Sequence, residues 1–150
     1  MILFLDTSAL VKIFQKEKGT EEVIHWVGNA QRVTLLDLAR LEFISALQRR
    51  FRNNELTRNN LQLLKSGFQE RWLSFDIQPL NRKVVDEAIG LLSFYGDKFG
   101  LRSLDALHAA AFILIAGKGW YFVAADHNLC RVISDIGFEV LNPLGKQDEF

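Results

Sequence analysis

Two short apolar runs, Ile2–Leu5 and Trp120–Ala125, pass without a polar residue, and each stops at an aspartate, Asp6 and Asp126. A strand with no polar alternation is buried on both faces, the condition of a parallel sheet with helices packed on either side. Longer stretches of helical period lie between the runs, so strand alternates with helix along the chain. The expected fold class is α/β, a central parallel sheet with helices on both faces.

The hydroxyls of Asp6-Thr7-Ser8 cap a predicted helix running through Ala9, Leu10, Val11, Ile13 and Phe14. A second helix is expected from Thr20 to about Gly28, followed by a brief strand, Arg32–Leu35. Helices from about Asp37 to Arg52 and from Thr57 to about Leu73 come next, with Asn53-Asn54 as the break. Ser74–Gln78 reads as a strand closed by Pro79, and Asn81 opens a helix to Tyr95, with Gly96 and Gly100 bracketing a loop. Ser103 is the expected cap of an apolar helix, Leu104–Ala116, which Gly117-Lys118-Gly119 ends. A short helix after Asp126 and a strand, Phe138–Leu141, complete the pattern.

At 150 residues the chain reads as one domain, 1–150, and a domain of this size buries about 68–70% of its unfolded surface. With 49% apolar and 24% charged residues, disorder is excluded. The single Cys130 rules out an internal disulfide and a cysteine zinc site, and fits a reducing cytosol, so a cytoplasmic location is expected. The apolar runs Met1–Leu5 and Ala109–Ala116 are too short to span a membrane. Eighteen basic residues balance eighteen acidic ones, so any nucleic acid must be held by a local patch.

Four acidic residues are the candidates for the chemistry. In an open parallel sheet, ligands bind beyond the carboxyl ends of the strands where strand order reverses, and Asp6 and Asp126 both end strands. Each is also a favoured helix cap, which by itself requires no shared site. Glu42 belongs to a helix with Leu38, Leu41, Phe43, Ile44, Ala46, Leu47 and Phe51 around most of its circumference. Its polar stripe, Glu42, Ser45, Arg49 and Arg52, is either a solvent face or the wall of a cleft. Asp105 stands in the first turn of the apolar helix, where the dipole favours a negative charge, yet a helix so poor in polar residues points its few charges at something specific. Four carboxylates in one crevice repel one another unless a cation neutralises them, and an all-oxygen set suits Mg²⁺ or Mn²⁺. Two such ions, roughly 3.5–4 Å apart, activate water for in-line phosphodiester hydrolysis.

The segments Met1-Ile2-Leu3-Phe4-Leu5-Asp6-Thr7-Ser8-Ala9-Leu10-Val11-Lys12, Leu41-Glu42, Leu101-Arg102-Ser103-Leu104-Asp105-Ala106-Leu107-His108-Ala109-Ala110 and Val123-Ala124-Ala125-Asp126 resemble the PIN-domain nucleases. Their order and spacing look most like the VapC-like toxins of type II toxin-antitoxin pairs, and the likeness runs on to Ile136–Pro143. The resemblance implies about five parallel strands, a Mg²⁺ or Mn²⁺ site, endoribonuclease activity, a small antitoxin partner and a homodimer. By matching position it makes Asp6, Glu42, Asp105 and Asp126 the catalytic, metal-holding acids. Thr7 and Ser8 match the hydroxyl segment beside the first Asp, placed to hold a carboxylate or a water. The chain departs at Ala124, where such proteins commonly carry Thr or Ser, and the missing hydroxyl keeps open a non-catalytic PIN-like scaffold that binds RNA or a protein. Aspartyl-phosphate phosphatases also open with a strand ending in Asp, but where they carry a second Asp and a Thr or Val this chain has Ser8 and Leu10.

Arg49, Arg50, Arg52 and Arg58 form the densest basic segment, either a solvated helix end or a contact for RNA phosphates, with Arg49 and Arg52 the RNA-binding candidates because they share the Glu42 stripe. His108, one turn from Asp105, is either bonded to it or, as expected here, a core histidine satisfied by backbone; His127 is expected to be a helix-start residue and Cys130 a small core residue. The aromatics supply core volume first, with those of the first four helices also candidates for a dimer or antitoxin surface.

Overall fold

The computed structural model describes residues 1–145. In chain order the elements are β1 (Ile2–Leu5), α1 (Thr7–Phe14), α2 (Thr20–Asn29), β2 (Arg32–Leu36), α3 (Leu38–Arg52), α4 (Arg58–Trp72), β3 (Asp76–Gln78), α5 (Arg82–Phe99), α6 (Ser103–Ile115), β4 (Trp120–Val123), α7 (His127–Ile136) and β5 (Glu139–Leu141). The five strands form one sheet in the order β3-β2-β1-β4-β5, and every neighbouring pair is parallel. The α/β expectation and the strand count both hold.

Alternate strand residues feed two cores. Leu3, Leu5, Leu35 and Val123 face a layer built from α1, α2, α3 and α4, while Phe4, Leu36, Phe122 and Ala124 face α5, α6 and α7. On the first side the rings of Phe43 and Phe68 stack with centroids 4.0 Å apart, and Phe14 meets both edge-on. On the second, Phe4, Phe112 and Phe122 form a triangle with centroids 5.2–5.8 Å apart. Complete burial of Leu3, Phe4, Leu5, Phe122 and Val123 explains why these strands carry no polar residue.

Several local readings change. The strand expected over Ser74–Gln78 covers only Asp76–Gln78, because Ser74 and Phe75 form the turn that leaves α4, their amides bonded back to the Arg71 and Trp72 carbonyls. α5 runs through Gly96 to Phe99, because Tyr95 and Phe99 stack one turn apart and hold the extra turn, and only Gly100, left-handed at φ 64°, ends it. α6 starts at Ser103 rather than after it, with Arg102 in the cap position and no side chain bonding the first turn. Leu41, read from the helical pattern as part of the apolar circumference, is 69% exposed.

Strand order reverses at β1. The chain leaves it for β2 and β3 on one side and returns through α5 and α6 to β4 and β5 on the other. Leu5 pairs with Val123 at the carboxyl ends of β1 and β4, and the Asp6 amide donates to the Val123 carbonyl at 2.9 Å. Asp6 and Asp126 therefore stand at the switch point, where a ligand crevice is expected.

Candidate active site

Asp6 and Asp126 both cap helices, and each spends one oxygen in doing so. Asp6 Oδ2 accepts from the Ser8 amide at 3.1 Å and from Ser8 Oγ at 2.5 Å. Asp126 Oδ1 accepts from the Leu129 amide at 2.8 Å, opening α7. Ser8 Oγ in turn accepts from the Ala125 amide at 3.0 Å, so one hydroxyl ties the end of β1 to the end of β4. Capping and convergence are thus compatible.

Glu42, in the second turn of α3, turns toward α1 and α6. Its Oε1 accepts from Thr7 Oγ1 at 2.8 Å and from His108 Nε2. His108, on α6, is fully buried, and the same Nε2 lies 3.7 Å from Asp6 Oδ1, while Nδ1 has no hydrogen-bond partner among the described residues. The expectation of a core histidine satisfied by backbone is corrected: its bond goes to a carboxylate delivered by another helix.

Asp105, in the first turn of α6, completes the set. Arg102 Nε lies 3.4 Å from Asp105 Oδ2 and Arg102 Nη2 lies 3.8 Å from Asp126 Oδ2, so one guanidinium faces two of the acids. The protonation equilibria record the same proximity. Burial, then the charges of Asp6 and Asp126, hold the Asp105 carboxyl above its ordinary value against the pull of Arg102. Burial would raise Glu42 too, but the His108 hydrogen bond and charge and the Thr7 hydroxyl together bring it below. Burial works to lower His108, and is outweighed by Asp6, Glu42 and Asp105, which keep it above the usual imidazole range. The Cys130 thiol, bonded to the Ala124 carbonyl at 3.3 Å, is pushed up to about 12 by burial and then by Asp126 and Asp6.

Contacts link the four acids in the structure: His108 stands between Glu42 and Asp6, Arg102 faces Asp105 and Asp126, and Asp6 and Asp126 both act on Asp105, with Thr7 on Glu42 and Ser8 on Asp6. Arg49 and Arg52 lie in the last turn of α3, exposed, and among the described residues neither bonds to a site carboxylate. His127 starts α7 beside Asn142, with Nδ1 3.2 Å from the Asn142 amide nitrogen. Ala124 is fully buried in the core on the α5–α7 side.

The donor set fits a hard divalent cation. All four donors are carboxylates, and each has one oxygen engaged: Asp6 Oδ2 by Ser8, Glu42 Oε1 by Thr7 and His108, Asp126 Oδ1 by Leu129, and Asp105 Oδ2 by Arg102. The second oxygen of each remains for a ligand. Among the described residues no three acidic, histidine or cysteine side chains stand close enough to hold an ion as they are; the Arg102 guanidinium and the His108 ring lie among the acids instead. The sequence marks Arg102 and His108 only as the polar neighbours of Asp105 on an otherwise apolar helix, without a role in the site for either; their spacing, three residues apart at each step, places all three on one face of α6.

A sequence profile of the PIN domain matches residues 3–133. Ribonuclease VapC47 of Mycobacterium tuberculosis is 31% identical over 146 residues, spanning 95% of this chain and 97% of that protein. FitAcB from Neisseria gonorrhoeae superimposes with a TM-score of 0.72 at 19% identity, covering 95% of this chain and 98% of that one. A toxin-antitoxin complex from Klebsiella pneumoniae contains a chain that matches with a TM-score of 0.61 at 12% identity, covering 94% and 97%. The two structural likenesses establish the fold, and the profile and the VapC47 identity establish descent: the chain belongs to the PIN-domain family and is a VapC-like member of it.

Proposed function

We propose that residues 1–150 form one PIN domain that acts as a Mg²⁺- or Mn²⁺-dependent endoribonuclease, the toxin of a toxin-antitoxin pair. The observation that carries this reading is the arrangement of the four carboxylates, each with one oxygen held by a protein donor and the other left over; burial, and then the charges of Asp6 and Asp126, raise Asp105 among them. Helix caps that shared no site would not raise one another.

Asp6, Glu42, Asp105 and Asp126 hold the ion in this account. When bound, it polarises the phosphodiester and lowers the pKa of a water nucleophile. Ser8 fixes Asp6 through two hydrogen bonds, and Thr7 fixes Glu42. Both hydroxyls set carboxylate direction, an arrangement on which metal affinity depends. Arg49 and Arg52, farther along α3, meet the RNA backbone beyond the crevice. The protein acts in the cytoplasm as a homodimer and is restrained by a small antitoxin, as the toxin-antitoxin complex with the same fold suggests. No helix among the described residues is long and apolar enough to cross a membrane.

The test is cleavage of single-stranded RNA by the purified chain in Mn²⁺, in excess chelator, and with Asp6→Asn. Asparagine is as good a cap as aspartate, so the variant keeps its fold while losing the charge. Cleavage in Mn²⁺ alone, absent from the variant, supports the assignment. RNA binding with no cleavage under any condition leaves the scaffold reading in its place.

A further inference from the structure

We propose that Arg102 is a substrate-positioning residue stored on the site's own carboxylates: its guanidinium faces the remaining oxygen of Asp126, leaves when a divalent ion binds, and then grips an RNA phosphate at the crevice mouth. The inference rests on the function proposed above and concerns the substrate side of that site.

The contacts of Asp126 set up the competition. Its Oδ1 accepts from the Leu129 amide, so Oδ2 is the less engaged oxygen it offers a metal, and Arg102 Nη2 faces that atom at 3.8 Å. Arg102 Nε stands 3.4 Å from Asp105 Oδ2. A dication and a guanidinium on the same oxygen repel one another, so binding of one weakens the other.

Arg102 is built to move between two anions. Leu101 before it is buried and α6 begins directly after it, so its backbone is anchored at both sides. The side chain is nonetheless 77% exposed. Its two carboxylate contacts are long beside the about 2.7–2.9 Å of a close charge-assisted bond, which marks a loose hold. Among the described residues it is the only arginine or lysine paired with a site carboxylate. A planar fork of donors at the edge of an acidic crevice suits a phosphate oxygen pair, and an arginine already positioned there costs little to redirect. A residue that merely clasped the start of α6 would behave differently, since its loss would destabilise the fold without altering metal affinity.

The experiment compares the full chain with Arg102→Gln in two readouts of opposite sign. Calorimetric titration with MnCl₂ should give the variant a roughly two- to fivefold tighter dissociation constant, the range expected for removing an exposed ionic competitor. Cleavage of a single-stranded RNA at saturating Mn²⁺ should show KM raised about tenfold with kcat changed much less, as for one lost charged hydrogen bond. The logarithmic salt slope of RNA binding should fall by about 0.7, one phosphate contact. Arg102→Lys should keep Mn²⁺ affinity near wild type while KM still rises, because the charge stays and the fork goes. Equal or weaker Mn²⁺ binding by Arg102→Gln, or an unchanged KM, overturns the role of Arg102 alone. A wild type that neither binds Mn²⁺ nor cuts RNA overturns the proposed function and this inference together.

Discussion

Neutralising Asp105 should stabilise the metal-free protein. In favour of the charged form stand the Arg102 pair, worth at most about 1 kcal/mol because Arg102 is largely exposed, and the α6 dipole, about 0.3–1 kcal/mol. Against it stand burial and the charges of Asp6 and Asp126, and the upward displacement of the Asp105 carboxyl shows that these win. Asp105→Asn should therefore raise the melting temperature in chelator, each kcal/mol of relief being worth roughly 2–4 °C for a domain of this size. The pH dependence has a definite sign. A carboxyl with a raised folded pKa adds stability below its ordinary pKa and loses it as pH rises through the folded value. Wild type and variant should therefore melt together in acid and separate toward neutrality, the variant higher. Mn²⁺ at a hundredfold excess over its dissociation constant should stabilise the wild type by about 2.7 kcal/mol, and the variant much less. Thermal melts of both proteins from acid to pH 7, with chelator and with Mn²⁺, provide the data. A variant less stable in chelator at pH 7, with a wild type indifferent to Mn²⁺, would refute the shared site and leave Asp105 as a helix-start residue.

Thr7→Val removes the hydroxyl that donates to Glu42 and should lower Mn²⁺ affinity or cleavage by roughly 10–100-fold, with Thr7→Ser restoring most of it; steady-state kinetics against Mn²⁺ concentration checks this. Cys130, with its thiol pushed up to about 12 and only 9% exposed, should resist a thiol-reactive chromophore at pH 8 in the native protein and react at once in denaturant. Expression of the chain alone should arrest bacterial growth, and co-expression of a small protein encoded beside it should relieve the arrest; harmless expression with no such neighbour would remove the toxin role.

The ends of β1 and β4 were the most legible parts of the chain, because a strand buried on both faces leaves an uninterrupted apolar run and the first charge after it marks the sheet's carboxyl edge. Glu42 was legible only as a choice. Helical period placed it on a polar stripe but could not say whether that stripe faced solvent, and the answer depended on α1 and α6 arriving with Thr7 and His108. His108 itself was hidden by its surroundings, since a histidine among alanines and leucines reads as core, and its partner lies 66 positions away. Arg102 is visible in the sequence as a polar neighbour of Asp105, but with Ser103 read as the cap it falls outside α6 and nothing gives its direction. Once the helix begins one residue earlier, the arginine moves to the cap position and faces Asp126. The extension of α5 through Gly96 escaped notice for a related reason, as a glycine costs a helix only about 1 kcal/mol relative to alanine, which the Tyr95–Phe99 stack can offset.

The central claim, that four carboxylates from four separate segments act as one cation site, is tested most directly by anomalous diffraction from crystals of the chain soaked in MnCl₂. The account predicts a peak in the crevice within about 2.3 Å of oxygens from at least Asp6, Asp105 and Asp126, on the atoms that capping and Ser8 leave over, with Arg102 turned away from Asp126. A crevice without a peak at millimolar Mn²⁺, with Arg102 still on Asp105 and Asp126, would contradict it.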